Sequence, residues 1–312
     1  MYYYKNLNNI DINILHETFL EAFSDYSVNI SMPLENFKIM LKAKGFNPEI
    51  SVGAFKQPEN KLVGFILNGK RFWNGKLTAY DLGTGIIPAF RKNGISSQMV
   101  KNIKEILVKN SVEQYLLEVI QSNTSAFELY KSNGFLITRS FSVFQLNSKI
   151  NSQNSFGYDI YFPERITDEE WEGIKFFWSF QPSWQNSIDS VKAVFSQFVY
   201  VIVKHDNRLI GYGIVDKNLG NIPQIAVHQD YRNKGIGRKI AEELFKKTNS
   251  SFLRIVNVDD SCKEMKEFLY KLGFVQTSSQ YEMLLKWTES EKVEIIVERD
   301  SIKKKKLIVK IQ

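Results

Sequence analysis

The stretch Tyr80–Ser96, YDLGTGIIPAFRKNGIS, decides how this chain is read, because it returns in altered form at Pro223–Gly237, PQIAVHQDYRNKGIG. In each copy a strand-like apolar run reaches an arginine, Arg91 or Arg232, and Arg-x-x-Gly-x-small then opens an amphipathic segment. Small residues at the mouth of a helix leave several backbone N–H groups without helical partners and turn the positive end of the helix outward. Such a turn suits a pyrophosphate. A single copy would read as a plain strand-to-helix turn; two copies in matching contexts favour a ligand.

Each copy is followed by a second strand-like run and then by a Gly-Phe pair, Gly134-Phe135 and Gly273-Phe274. The arginines stand 141 residues apart and the Gly-Phe pairs 139, so two related domains in tandem are expected. Their expected limits are 1–150 and 156–288, joined by the polar stretch Asn147–Ser155, with residues 289–312 as an extension.

At these residues the chain resembles the GNAT superfamily of acyl-CoA-dependent N-acetyltransferases. The first half carries Arg91, Gly94 and Ser96, then Asn123, Ala126, Tyr130, Gly134 and Phe135 at the family's spacing, departing only at Ser96. The second half keeps Arg232, Gly235 and Gly237 but has Cys262 in place of the asparagine and Leu269 in place of the tyrosine. The resemblance implies a mixed α/β sheet in each half, two GNAT-like domains, and acetyl-CoA as co-substrate. It implies that the backbone of Arg91, Lys92, Asn93, Gly94, Ile95 and Ser96 cradles the pyrophosphate, as does that of Arg232, Asn233, Lys234, Gly235, Ile236 and Gly237. Arg91 and Lys92 would add charge. Around Ile86 and Ile87, and at Val227, the strand is implied to splay from its neighbour and offer amide groups to the pantetheine and the thioester. Gly83 and Gly85 fit a strand that bends there, or a simple bulge.

Acyl transfer to an amine needs a neutral amine and a proton for the departing thiolate. Tyr130 is the expected proton donor: a phenol, with an ordinary pKa of about 10 against roughly 8.5 for a thiol, stays protonated at neutral pH. Without the family spacing it would read as a core tyrosine. Asn123 would hold the pantetheine or start the helix. Glu118 and Asp81 are the nearest bases by family geometry, and Asp25 in FSDY could recognise a cationic acceptor; a solvated carboxylate is the alternative for each. In the second half Tyr270 comes one residue late, a helical rotation of about 100°. That half is expected to bind acyl-CoA with little transfer, or to be a structural partner.

The composition, 43 % hydrophobic and 24 % charged, is that of a globular protein large enough for two cores. No apolar run is as long as a membrane span, and MYYYKNLNNIDINILHE is too polar for a signal peptide, so a cytoplasmic location is expected. One cysteine and three scattered histidines suggest no disulfide and no metal site. The net charge of +7 is spread along the chain without a nucleic-acid motif, which disfavours a nucleic-acid partner. Lys303–Lys306, between the β-like Val293–Val297 and Leu307–Ile311, reads as a solvated turn. The expected acceptor is a small-molecule or peptide amine. The competing expectation is a non-catalytic acyl-CoA-binding or sensing protein.

Overall fold

Periodicity and turn chemistry account for most elements of the first half. β1 (Tyr2–Asn6) leads to α1 (Ile12–Ala22), capped by the Asp11 carboxylate, which accepts from the Asn13 N–H at 2.8 Å. The inward face of α1 carries Leu15, Phe19 and Ala22. α2 (Leu34–Lys44) buries Phe37 and Leu41 and stops at Gly45, whose φ of 74° is one an L side chain resists. The apolar run after Glu49 becomes strand only at β2 (Val52–Lys56), because Pro48–Ile50 turn as a 3-10 helix and the Asn47 side chain accepts from the Glu49 N–H.

β3 (Lys61–Trp73) and β4 (Lys76–Ile86) form a long antiparallel pair, and α3 (Ile95–Lys109) follows the first anion loop. α3 buries Ile95, Met99, Val100, Ile103 and Leu107, the 3.6-residue stripe visible in the sequence, each contributing about 2 kcal/mol of gross transfer energy. β5 (Gln114–Ile120), α4 (Thr124–Ser132) and β6 (Leu136–Leu146) complete this half.

The second half begins with β7 (Asp159–Tyr161) and α5 (Asp168–Ile174), the latter started by a reciprocal cap between Thr167 and Glu170. α6 (Ile188–Ala193), β8 (Phe198–His205), β9 (Arg208–Asp216), β10 (Gln224–Val227), α7 (Ile236–Lys247), β11 (Leu253–Asp259), α8 (Lys263–Leu272) and β12 (Val275–Lys286) follow. β8 and β9 are buried on both faces: Tyr200, Ile202, Tyr212 and Ile214 meet Trp171, Ile174 and Phe177, while Val201, Val203 and Val215 share the core of α7. That alternation separates two cores by one residue of register. Among the aromatic residues Phe176, Phe177, Trp178, Phe180 and Trp184, Phe177 and Trp184 are core, whereas Phe176 is 84 % exposed.

The computed structural model describes residues 1–25, 32–150 and 156–287. The linker residues 151–155, the extension 289–312 and the lysine run within it lie outside them. The chain forms two compact units, one of residues 1–118, 124–137 and 283 onward, the other of 119–123 and 138–282. These limits differ from a cut at residue 150. In the first unit the strand order β1-β2-β3-β4-β5 is continued by the end of β12 from Met283, and the Trp287 indole donates to the Val112 carbonyl at 2.7 Å. In the second unit β12 up to Glu282 is followed by β6 and β11, and a separate sheet runs β10-β9-β8-β7. β6 joins this unit because Phe144 and Leu146 enter its core opposite Ile255 and Leu253. Each unit therefore contains a strand that the sequence repeat assigns to the other. Among the described residues no helix is long and apolar enough to cross a membrane.

Candidate active site

The two anion loops share a backbone course. Lys92 and Asn233, directly after the arginines, have φ of 60° and 61°, and Gly94 and Gly235, which cap α3 and α7, have φ of 71° and 81°. The first helical bonds run from Gln98 N–H to Gly94 O and from Lys239 N–H to Gly235 O. The N–H groups of Ile95, Ser96 and Ser97, and of Ile236, Gly237 and Arg238, therefore stand at helix N-termini ahead of any intrahelical acceptor. A Cβ on Gly94 would meet nothing within 4 Å, so the space in front of the loop is open.

The arginines build the loops from behind. Arg91 Nε donates to the Ile86 carbonyl at 3.1 Å and Arg232 Nε to the Val227 carbonyl at 3.2 Å; Nη2 of each reaches the segment before the sheet, at Ala22 O (2.8 Å) and Phe177 O (2.9 Å). Arg91 also pairs with Asp25 at 2.6 Å, and this hydrogen bond holds the Asp25 carboxyl below its usual range. Asp25 thus faces the loop arginine. The Asn93 side chain donates to Phe90 O and Arg91 O, and the Ile87 N–H is taken by Val63 O at 3.0 Å. A Cβ at Gly237 would stand 3.0 Å from the Phe268 ring of α8, so a side chain there needs the ring to yield, whereas half-buried Ser96 holds the matching place in the first loop.

Beyond the loops the strands part. β4 and β5 pair in parallel only from Thr78↔Gln114 to Tyr80↔Leu116, while β4 continues against β3 to Ile86 with a register shift beside Leu82. In the second unit β10 pairs with β9, and an isolated parallel bridge, Asn221↔Arg254, marks where β11 departs. A cleft of about 290 Å³ lies at the first loop, lined by Ile86, Arg91, Lys92, Gly94, Ile95 and Ser96. A larger one of about 590 Å³ lies at the second, where Val227, Arg232, Asn233, Gly235, Ile236 and Gly237 form one end. Ile87, Asn93 and Lys234 lie in their loops outside these linings, and the Asn123 N–H donates to Ile120 O just before α4.

In the first unit two of the expected catalytic residues, Tyr130 and Asp81, meet. Tyr130, buried on α4, donates its hydroxyl to Asp81 Oδ2 at 3.1 Å. Asp81 also accepts from the Thr84 hydroxyl at 2.7 Å and the Gly83 N–H at 2.8 Å. Burial pushes the Asp81 carboxyl above its ordinary value, and these hydrogen bonds and the charge of Lys44 pull against it. Glu118 and Asp81 are the charges that act on Lys44, whose ammonium burial disfavours. Tyr115 donates to Asn68 Oδ1 at 2.8 Å, and burial holds its phenol well above the usual range, with Asp81 and Tyr130 adding to the effect. Lys44 and Tyr115 were legible only as members of a helix and a strand; no local pattern in the sequence marks them as neighbours of Asp81.

The corresponding place in the second unit has different chemistry. Leu269 is fully buried in the core, and Tyr270 is 51 % exposed, edge-on to Phe144 with its hydroxyl toward Gln276. The floor of the larger cleft is a neutral chain: Trp178 Nε1 donates to the Tyr212 hydroxyl, this to Gln224 Oε1, and Gln224 Nε2 to the Asn186 carbonyl, all within 2.8 Å. Burial raises the Tyr212 phenol far above its ordinary value, so this chain carries no charge at neutral pH.

Known proteins with this architecture agree. Residues 12–135 match the acetyltransferase (GNAT) family and residues 196–276 an acetyltransferase (GNAT) domain. Among solved structures, the chain is similar to a tandem GNAT protein from the clavulanic acid biosynthesis pathway (TM-score 0.68, 14 % identity, 92 % of this chain and 98 % of that one). It is also similar to a GCN5-related N-acetyltransferase from Sphaerobacter thermophilus (TM-score 0.65, 14 % identity, 91 % and 95 %). At such identities these likenesses speak for the fold. No curated protein matches the sequence significantly. With two matched regions, two anion loops of one construction and a tandem fold shared with known examples, the chain belongs to the GNAT superfamily of acetyltransferases as a tandem GNAT protein.

Proposed function

We propose that the protein moves an acetyl group from acetyl-CoA to a primary amine of a small molecule or peptide, and that transfer takes place in the first GNAT domain. The observation that carries this reading is the Tyr130–Asp81 hydrogen bond beneath the parting of β4 and β5. The three free N–H groups and the open front of Gly94 suit a pyrophosphate. The bound thioester would supply the acyl carbon. In the reaction an amine N–C bond forms and the C–S bond breaks; the acceptor nitrogen sheds two protons, one as the ammonium becomes the attacking amine and one as the amide forms, while one proton is delivered to the thiolate, so one proton is released overall. Asp81 and Glu118 give this end of the site the negative charge that attracts an ammonium and accepts its proton, directly or through water. Tyr130 supplies the proton to sulfur.

A second role, holding acyl-CoA without transfer, is favoured for the second domain by its larger cleft and uncharged floor. Thiol release from acetyl-CoA in the presence of a panel of primary amines tests the assignment. Tyr130→Phe is expected to abolish most turnover and Tyr270→Phe to change little; the reverse pattern would move transfer to the second domain.

A further inference from the structure

β4 does not run evenly into the first anion loop. Leu67 is paired with Gly83 and Asn68 with Asp81, so Leu82 is one residue more than β3 can match. On an even strand, residues three apart point to opposite faces. The extra residue brings Asp81 and Thr84 to the same face, that of their partners Asn68 and Ile66. The two side chains then close on each other. The Thr84 hydroxyl donates to Asp81 Oδ2 at 2.7 Å, the Gly83 N–H to Oδ1 at 2.8 Å, and the Tyr130 hydroxyl to the same Oδ2 at 3.1 Å. Tyr130 and Thr84 therefore meet through one carboxylate oxygen. Of the three, Thr84 borders the cleft at the first loop, together with Ala22, Gly85 and Ile86.

The second domain has exchanged all three. At the spacing of the two loop arginines, Ile222 and Ile225 take the places of Asp81 and Thr84, and at that of the Gly-Phe pairs Leu269 takes the place of Tyr130. Ile222, Ile225 and Leu269 are buried in one apolar core. A polar unit held by mutual hydrogen bonds comes and goes whole, since any member left alone in a core would be an unpartnered buried group. Thr84 thus belongs with Tyr130 and Asp81, and its place at the cleft wall is what packing alone does not require.

We infer that Thr84 is a positioning residue of the first domain: its hydroxyl sets the Asp81 carboxylate that Tyr130 also uses and links this buried pair to the wall of the cleft. Its importance for transfer rests on the proposal that the first domain is the catalytic one.

The test compares, in the full chain, Thr84→Val, which keeps the shape and loses the hydroxyl, with Thr84→Ser, which keeps the hydroxyl and loses the methyl. If packing were the role, valine would serve better than serine. The expected order is the reverse. With acetyl-CoA and a primary amine, kcat should fall about tenfold or more in Thr84→Val and stay near the parent's in Thr84→Ser, while calorimetry gives parent-like acetyl-CoA affinity for both. A second readout needs no turnover. Aspartate is labelled with 13C at the carboxyl carbon, and the Asp81 signal is assigned by its loss in Asp81→Asn. The Asp81 midpoint should move to higher pH in Thr84→Val, because a donor to the charged form is gone, and return toward the parent's in Thr84→Ser. Where Thr84→Val does not fold, Thr84→Ala takes its place in the comparison. An Asp81 midpoint unmoved by loss of the hydroxyl, or a kcat in Thr84→Val as high as in Thr84→Ser, overturns the inference. Parent-like kcat in Tyr130→Phe would instead overturn the catalytic assignment of the domain, and the titration would still decide whether Thr84 holds Asp81.

Discussion

Tyr130 and Asp81 lie 49 residues apart and share one hydrogen bond, and the activity proposed here depends on that contact. A positioned proton donor contributes roughly 10²–10⁴ to rate. Tyr130→Phe should therefore lower kcat by about two orders of magnitude while acetyl-CoA affinity, measured by calorimetry, stays near the parent's, because the loop proposed to hold the pyrophosphate is untouched. Asp81 makes a second prediction. The folded chain holds its carboxyl proton more tightly than the unfolded chain does, so protonation stabilises the fold; that contribution is complete below the ordinary value of 3.8 and is lost as pH rises through the raised one. Asp81→Asn should then gain thermal stability over the parent as pH rises from about 4 to about 7, and a gap that does not change with pH would contradict this. Family spacing singled out Tyr130 and family geometry suggested Asp81 and Glu118; of these, Tyr130 and Asp81 are in contact. The inward turn of Arg91 was not, because its partners Ala22 and Asp25 come from α1 and the residues after it, and nothing local in RKNGIS shows whether a guanidinium points to a ligand or to its own backbone.

At the scale of elements, the helices were plain in the sequence and their junctions less so. The stripe of α3 follows from spacing alone, whereas the start of β2 depends on the Asn47 cap and Pro48 competing with the ladder. The loop-helix units are the part most fully written in sequence, since glycine alone takes φ near 71° or 81° cheaply. Gly94→Glu and Gly235→Glu each add an anion and a strained Cβ to one cradle. If the proposed roles hold, calorimetry with acetyl-CoA should lose the corresponding site in each variant and both in the double variant. Parent-like binding by both single variants would remove the loops from the ligand site. Gly237→Leu should also cost stability, because its side chain must displace Phe268, while Ser96→Gly should be nearly silent for packing.

For the molecule as a whole, the repeat in the sequence predicts two successive domains, and the strands follow a different rule. β6 stays in sequence with the first repeat and packs with the second unit; the end of β12 does the opposite. Nothing in the pattern of either strand distinguishes these arrangements, since the same apolar alternation fits beside either neighbour. A fragment of residues 1–150 carries Phe144 and Leu146 without β11 and lacks both Met283–Lys286 and the Trp287 indole on Val112. It should aggregate or melt without cooperativity, and a monomeric fragment with a sharp transition by calorimetry would contradict this. The same feature bears on how the protein is born. As the chain leaves the ribosome, β5 emerges with α3 and α4 long before Met283–Trp287 have been translated, so the first unit waits, unfinished, through the synthesis of nearly all of the second. Completion of the first unit is thereby tied to arrival of the distal strand, and a truncated translation product would lack a finished first unit even though every residue of its motif is present.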